Sequence, residues 1–317
     1  MTGYVYTIAG GKGGVGKTTT AINVAVALQD AGHDVVVVDA DLGMANLGAM
    51  LDIEHQPSLH QVLAGKAAVS DAITEGPGGI TVVPGERNLE AFADADPAKL
   101  RKVVKALSTA YEIVLIDTGA GLSHETTVPL GLADGVLLIT TADDVAIGDT
   151  VKTAQLANRI EGDVVGAVLT RANDDTNVSD VADKLDLEML AVVPEDQEAT
   201  QKEPLLINDP DSYAAEAYRR LASTLEEIYE ANTEGGVTTE QEFEPASSSS
   251  SDTGGGTDDE SEDGGGTPLG GGSDDTGGAE ASSGGDDDPP GESHTCSTAT
   301  SQRSASACER SVCSAFG

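Results

Sequence analysis

A doubly wound α/β fold with a mainly parallel sheet is what this sequence predicts for its first 234 residues, and three observations predict it. Short β-branched runs alternate with helix-length segments, most of those runs are apolar on both faces, and about 230 residues suit one such domain. Strands that read as continuous apolar runs need cover on both sides, so helices belong above and below the sheet. Strands are predicted at 4–9, 35–39, 80–84, 113–117, 135–140, 164–170 and 189–193, and helices at 17–31, 97–109, 145–160 and 212–231. The last helix carries Ala215, Tyr218, Leu221, Ala222, Leu225, Ile228 and Tyr229 at three- and four-residue spacing, an apolar face that packs on the sheet. Its polar face holds Glu216, Glu226, Glu227 and Glu230 against Arg219 and Arg220, a composition that argues against a membrane-surface helix. In open α/β sheets ligands sit outside the carboxyl ends of the strands, and chemistry is sought there.

Charge divides the chain. Residues 1–234 hold 38 acidic and 15 basic side chains, and residues 235–317 hold 17 and 2, within a total net charge of −38. Runs such as SSSSSDTGGGTDDESEDGGG lack apolar residues to offset ordering entropy, so 235–293 is expected to be a disordered acidic linker. From His294 the acids thin out and Cys, Arg, Thr and Ser appear; residues 294–317 read either as an interaction tag or as sequence under little constraint. All three cysteines (Cys296, Cys308, Cys313) fall in this last segment, so the body has no disulfide and no thiolate metal site. The acid excess disfavours nucleic acid and anionic lipid, no basic patch stands out, and scarce lysine amid acid fits a cytosol of high salt. No leader pattern opens the chain and nowhere do 18 apolar residues run together, which predicts a cytoplasmic or membrane-peripheral protein.

The strand at 4–9 runs into Gly11-Lys12-Gly13-Gly14-Val15-Gly16-Lys17-Thr18-Thr19, and a helical pattern follows. This is GxxxxGK[ST] between strand and helix, the context a phosphate-binding P-loop requires. Glycines let backbone N–H groups curl around a β-phosphate, the helix N-terminus adds its positive dipole end, Lys17 neutralises β/γ oxygens and Thr18 offers a hydroxyl to Mg²⁺. The next strand ends VVVVDADLGMANL, placing Asp39 and Asp41 at its carboxyl end. Carboxylates beside a triphosphate repel it unless a metal or water mediates, so they point to metal or nucleophile handling; capping or solvation is the competing reading. The strand at 113–117 ends IVLIDTGAG, with Asp117 where a Walker B carboxylate belongs and Gly119 and Gly121 free to follow a γ-phosphate.

Lys12, directly after the first glycine, makes the loop KGGVGKTT, and with it the sequence over roughly 4–231 resembles the MinD/ParA family of ATPases with a deviant Walker A motif. The resemblance implies ATP and Mg²⁺ as ligands and a homodimer in the ATP state, in which Lys12 reaches the phosphates held by the partner. It also implies that Asp41 orients the attacking water, that Asp39 supports Mg²⁺ through its hydration shell, and that Asn173 and Pro194-Glu195-Asp196 frame the adenine. Ordinary turn chemistry is the alternative for the last four. One departure is Thr118-Gly119, where the MinD branch commonly has Ser-Pro.

Within the family, the iron-sulfur relatives hold a cluster with cysteines of the folded domain, and this body has none. ParA-type proteins commonly have Pro-Gln after the second-strand acids; here the run Asp41-Leu42-Gly43-Met44-Ala45-Asn46-Leu47 looks like the MinD and FlhG branch. MinD proper ends in a basic amphipathic membrane helix, and SACERSVCSAFG is not one. The expectation is a MinD-like ATPase, a dimerising spatial switch for cell-division or polar machinery, answering to a protein activator or cargo. A ParA-type DNA-segregation ATPase and a metabolic P-loop ligase are the alternatives.

Overall fold

A computed structural model of the chain describes residues 2–195 and 202–234. Asp196, the linker 235–293 and the tail 294–317 lie outside the described residues.

The chain runs β1 (Tyr4–Ala9), α1 (Lys17–Asp30), β2 (Val35–Ala40), α2 (Leu47–Met50), α3 (Leu59–Leu63), β3 (Thr74–Glu75), β4 (Thr81–Val83), α4 (Leu89–Asp94), α5 (Leu100–Ala110) and β5 (Ile113–Thr118). It continues α6 (His124–Leu130), β6 (Gly135–Thr140), α7 (Asp144–Arg159), β7 (Val164–Ala172), α8 (Val178–Leu185), β8 (Met189–Pro194), α9 (Leu205–Asn208) and α10 (Tyr213–Glu234). The eight strands form one sheet in the order β3-β4-β2-β5-β1-β6-β7-β8, parallel throughout except for the β3–β4 edge pair. The seven predicted strands are all present; β3, a two-residue hairpin strand, is too short to show a period in sequence. The predicted helix at 97–109 opens instead as a 3₁₀ turn over Pro97–Lys99, capped by Asp96, before α5 begins.

Every residue of β1, β2, β5 and β6 is buried, because helices cover both faces. On one face α1, α9 and α10 pack on Tyr6, Ile8, Val37, Leu115 and Ile139. On the other, α3 and α5 cover Val36, Val38, Val114 and Ile116, and α7 and α8 cover Val136, Leu138 and Leu169. Helix α5 buries Leu100, Val103, Val104 and Leu107, a stripe at i, i+3, i+4 and i+7. Helix α1 is buried from Ala21 to Leu28 without a polar side, since it lies between the sheet and α10. The strand order reverses direction around β1, so the carboxyl ends of β1, β2 and β5 open on one crevice. No helix among the described residues is long and apolar enough to cross a membrane.

Candidate functional site

Between Ala9 and Lys17 the chain wraps a loop whose shape glycine dictates. Gly14 and Gly16 adopt φ of 76° and 97°, a region that costs side-chain-bearing residues roughly 1–2 kcal/mol. Gly11 is required for another reason, since a Cβ there would overlap the backbone of Asp149 in α7. At Gly13 and Gly14 the space is open, and both residues line a cavity of about 910 Å³. Gly13, Gly14, Gly16–Thr19, Asp41–Met44, Asn46, Thr118–Ala120, Ser123, Thr126, Arg87 and Arg171 contribute to its lining, a volume in the range of small-molecule sites.

Lys17 is buried, and its Nζ lies 3.5 Å from the Lys12 carbonyl oxygen. Burial pulls its pKa down, against the opposing pull of Asp117 and Asp41. Asp39 and Asp117 stand opposite one another on paired strands and are fully buried. Asp39 Oδ2 accepts the backbone N–H groups of Asn46 and Leu47, each at 3.1 Å. Asp117 Oδ2 accepts the Thr18 hydroxyl at 2.6 Å. The Oδ1 atom of each has no partner. Burial pushes the Asp39 carboxyl up to about 7, and burial followed by the neighbouring Asp39 raises Asp117 well above the carboxylate range.

These residues fit a magnesium ion. Two buried carboxylates with orphan oxygens, beside a threonine hydroxyl, form a donor set that a hard divalent cation satisfies. Thr18 would hold the ion, with Asp117 and Asp39 behind it, and bound Mg²⁺ would neutralise phosphate charge. No cluster of three or more His, Cys, Asp or Glu side chains among the described residues forms a metal site of its own.

Asp41 is half-buried at the cavity wall and its Oδ1 accepts the Met44 N–H at 3.0 Å. At Gly119, where the MinD branch commonly has Pro, a Cβ would come 3.1 Å from Asp41 Oδ1. Asn46 escaped the sequence reading, which singled out its run but gave it no role. Its side-chain oxygen lies 2.9 Å from Thr18 Oγ1, whose single proton goes to Asp117, and its N–H holds Asp39. Asn46 thus ties the loop after β2 back to Asp39 at the end of that strand and sets its side chain beside Thr18 at the start of α1.

Lys12 points elsewhere. Its ammonium sits 2.8 Å from Asp143 Oδ1 at the start of α7, both groups are about half exposed, and the 910 Å³ cavity is not lined by it. Lys12 in turn holds the Asp143 carboxyl below its ordinary range. Asn173 is folded into its own turn, its Oδ1 accepting the Asp175 N–H at 3.2 Å and the Thr176 hydroxyl at 3.0 Å. Pro194 pairs with Ala172, and the Glu195 N–H donates to the Ala172 carbonyl at 2.7 Å, so Asn173, Pro194 and Glu195 share one corner of the sheet. Arg171, left-handed at φ 53°, borders both the main cavity and a second depression lined by Lys12, Asp143 and Asn173; the sequence reading had not marked it.

Residues 6–204 match the model of the CobQ/CobB/MinD/ParA nucleotide binding domain. The chain belongs to this family. It is 40% identical over 226 residues to an uncharacterized ATP-binding protein of Methanocaldococcus jannaschii, covering 69% of this chain and 86% of that protein. The cell division ATPase MinD of Pyrococcus furiosus superposes with a TM-score of 0.68 at 34% identity, covering 71% of this chain and 99% of that one. The septum site-determining protein MinD of Pyrococcus horikoshii, complexed with Mg-ADP, gives 0.67 at 33%, covering 71% and 96%. The MinD/ParA resemblance read from the loop, and its MinD-like branch read from Asp41–Leu47, therefore hold, and the family's P-loop ATPases bind ATP with Mg²⁺.

Proposed function

We propose that this member of the family hydrolyses ATP as a dimerising spatial switch that positions cell-division or polar machinery, such as a motility or chemosensory assembly. The observation that carries the reading is Lys12. A loop lysine that does not line its own loop's cavity, and stands on the surface beside it, is available to the phosphates of a second copy. Lys17, Thr18 and the loop amides hold the triphosphate in place. Asp41, at the cavity wall and free of a second buried partner, accepts a hydrogen bond from the attacking water, which displaces ADP from the γ-phosphorus. Loss of the γ-phosphate removes the contacts of Lys12 and of the loops carrying Asp41 and Gly119, and the dimer separates. Residues 1–234 form the ATPase body, 235–293 a linker and 294–317 a tail; an activator or cargo protein, and peripheral placement at the membrane or pole, complete the reading.

Asp41→Ala tests it. ATP-dependent dimerisation by light scattering should persist while phosphate release stops, and hydrolysis at the wild-type rate would refute the assignment. One observation favours the ParA-type alternative. Helix α5 exposes Arg101, Lys102 and Lys105 on one side, a cationic stripe that the sequence reading passed over, and ATP-dependent, salt-sensitive DNA binding would shift the function toward segregation.

A further inference from the structure

A fully buried histidine holds the loop that carries Asp41. His60 is the second residue of α3 and has no exposed surface. Its Nε2 lies 2.9 Å from the Leu42 carbonyl oxygen, and its Nδ1 accepts the Glu86 N–H at 3.1 Å. A carbonyl only accepts and a backbone N–H only donates, so the ring proton sits on Nε2 and both nitrogens are used. Glu86 and Arg87 follow β4, and Arg87 Nε donates to the Ala45 carbonyl at 2.7 Å. The loop after β2 is therefore held at two carbonyls, Leu42 by His60 and Ala45 by Arg87. The histidine is itself anchored to the end of β4: the Leu59 N–H donates to the Pro84 carbonyl at 2.9 Å, and the Ser58 hydroxyl to Glu86 Oε2 at 2.8 Å.

Packing alone does not account for this arrangement. An imidazole withdrawn from water costs free energy unless both nitrogens are bonded, and an apolar side chain would fill the same space without that demand. What the ring adds is direction, because a hydrogen bond to the Leu42 carbonyl fixes the orientation of a peptide one residue from Asp41. The second bond, from Arg87, fixes the peptide that joins Ala45 to Asn46, whose side chain lies beside Thr18. The two held carbonyls thus stand next to the two loop residues, Asp41 and Asn46, whose side chains border the nucleotide cavity.

We propose that His60 and Arg87 are positioning residues for hydrolysis, which hold residues 41–46 so that Asp41 meets the attacking water in line with the γ-phosphorus. The proposal rests on the reading of Asp41 as the acceptor for that water. The P-loop binds the phosphates independently of this hold, so loosening it lowers turnover and leaves ATP affinity in place.

The full chain and its variants are compared in steady-state phosphate release and in calorimetric titration with Mg-ATP. Asn and Gln separate the two nitrogens of the ring, since an Asn amide ends at the δ position and a Gln amide at the ε position. His60→Gln keeps a donor for Leu42 and should retain turnover within about twofold of wild type. His60→Asn keeps only an acceptor for Glu86, and kcat should fall roughly tenfold with Mg-ATP affinity unchanged. Arg87→Met, at an exposed position, should lower kcat in the same way, and it decides alone should His60→Asn not fold. Equal losses in His60→Gln and His60→Asn, weaker Mg-ATP binding without a fall in kcat, or wild-type kcat in both His60→Asn and Arg87→Met would overturn the proposal. Asp41→Ala, run alongside, tests the reading beneath it. Wild-type phosphate release from Asp41→Ala removes the role of Asp41 and the hold with it, whereas an inactive Asp41→Ala beside fully active His60→Asn and Arg87→Met removes the hold alone.

Discussion

Replacing Asp39 with asparagine should make the nucleotide-free protein more stable at alkaline pH. Asp39 and Asp117 face each other, fully buried, each with an oxygen that nothing satisfies. The Asp39 carboxyl is lifted from 3.8 to about 7, mainly by burial. At ~1.4 kcal/mol per pH unit, that difference is on the order of 4 kcal/mol. Its sign is unfavourable to the ionised fold. Between pH about 4 and 7 the folded carboxyl keeps a proton that the unfolded chain has released, so stability declines as pH rises through this window and stays low above it. Asp117, raised in the same direction, extends the decline further upward.

An asparagine at position 39 keeps an oxygen for the Asn46 and Leu47 N–H groups and brings an amide toward the orphan side. Urea denaturation of wild type and Asp39→Asn, without nucleotide or metal, at pH 5 and pH 8.5 reads the difference directly. The variant's stability relative to wild type should rise by a few kcal/mol between pH 5 and pH 8.5. The comparison cancels the general repulsion of an acidic body, which both proteins share. A stability difference independent of pH would refute the reasoning, because it would mean that Asp39 titrates like a surface carboxylate. Mg-ATP should then stabilise wild type more than the variant, since the charge that burdens the free fold is the one that supports the ion.

Three other outcomes follow from contacts in the site. Gly119→Ala places a Cβ 3.1 Å from Asp41 Oδ1, so the carboxylate must shift by a few tenths of an ångström; turnover should fall roughly tenfold with ATP affinity intact, and unaltered phosphate release would contradict the role of Asp41. Asp143→Asn keeps the cap on the Ala146 N–H but removes the charge that holds Lys12, and sedimentation should show a larger ATP-dependent dimer fraction at low salt than at high. Gly11→Ala drives a side chain into the Asp149 backbone, and titration should find no nucleotide binding in a protein whose circular dichroism still reports a folded sheet.

The sheet was legible because β1, β2, β5 and β6 are buried on both faces and read as unbroken apolar runs. The loop was legible because its chemistry is contiguous, from Gly11 to Thr19, and the acids because they terminate strands whose ends must converge. Short elements such as α2, α4 and β3 lack the length to show a period. Long-range partners left no trace in sequence: Lys12 meets Asp143 across 131 positions, and Arg87, from the segment after β4, and Arg171, from the end of β7, both reach the cavity. Asn46 was within view, since its run had been recognised, but only the fold shows that it bridges Thr18 and Asp39. The same holds for the cations of α5, which sequence scatters among apolar residues and the helix gathers on one side.

What unites these features is where the fold leaves its polar groups unsatisfied. Among the described residues four buried side-chain atoms lack a partner: Oδ1 of Asp39 and of Asp117, and the hydroxyls of Thr20 and Thr150. Two belong to the carboxylate pair, and the others lie in α1 and α7, the two helices that meet the P-loop through Lys17 and through Asp149. Left-handed Gly14, Gly16 and Arg171 border the same cavity. The apolar faces of the sheet carry no such burden, so they can hold the domain together while its carboxyl edge stays electrostatically frustrated. A site arranged in this way gains more from a bound cation and phosphates than a satisfied one would. On the proposed function, bound nucleotide would stabilise the edge that carries Asp41, Asn46 and Gly119, which is the property a switch requires.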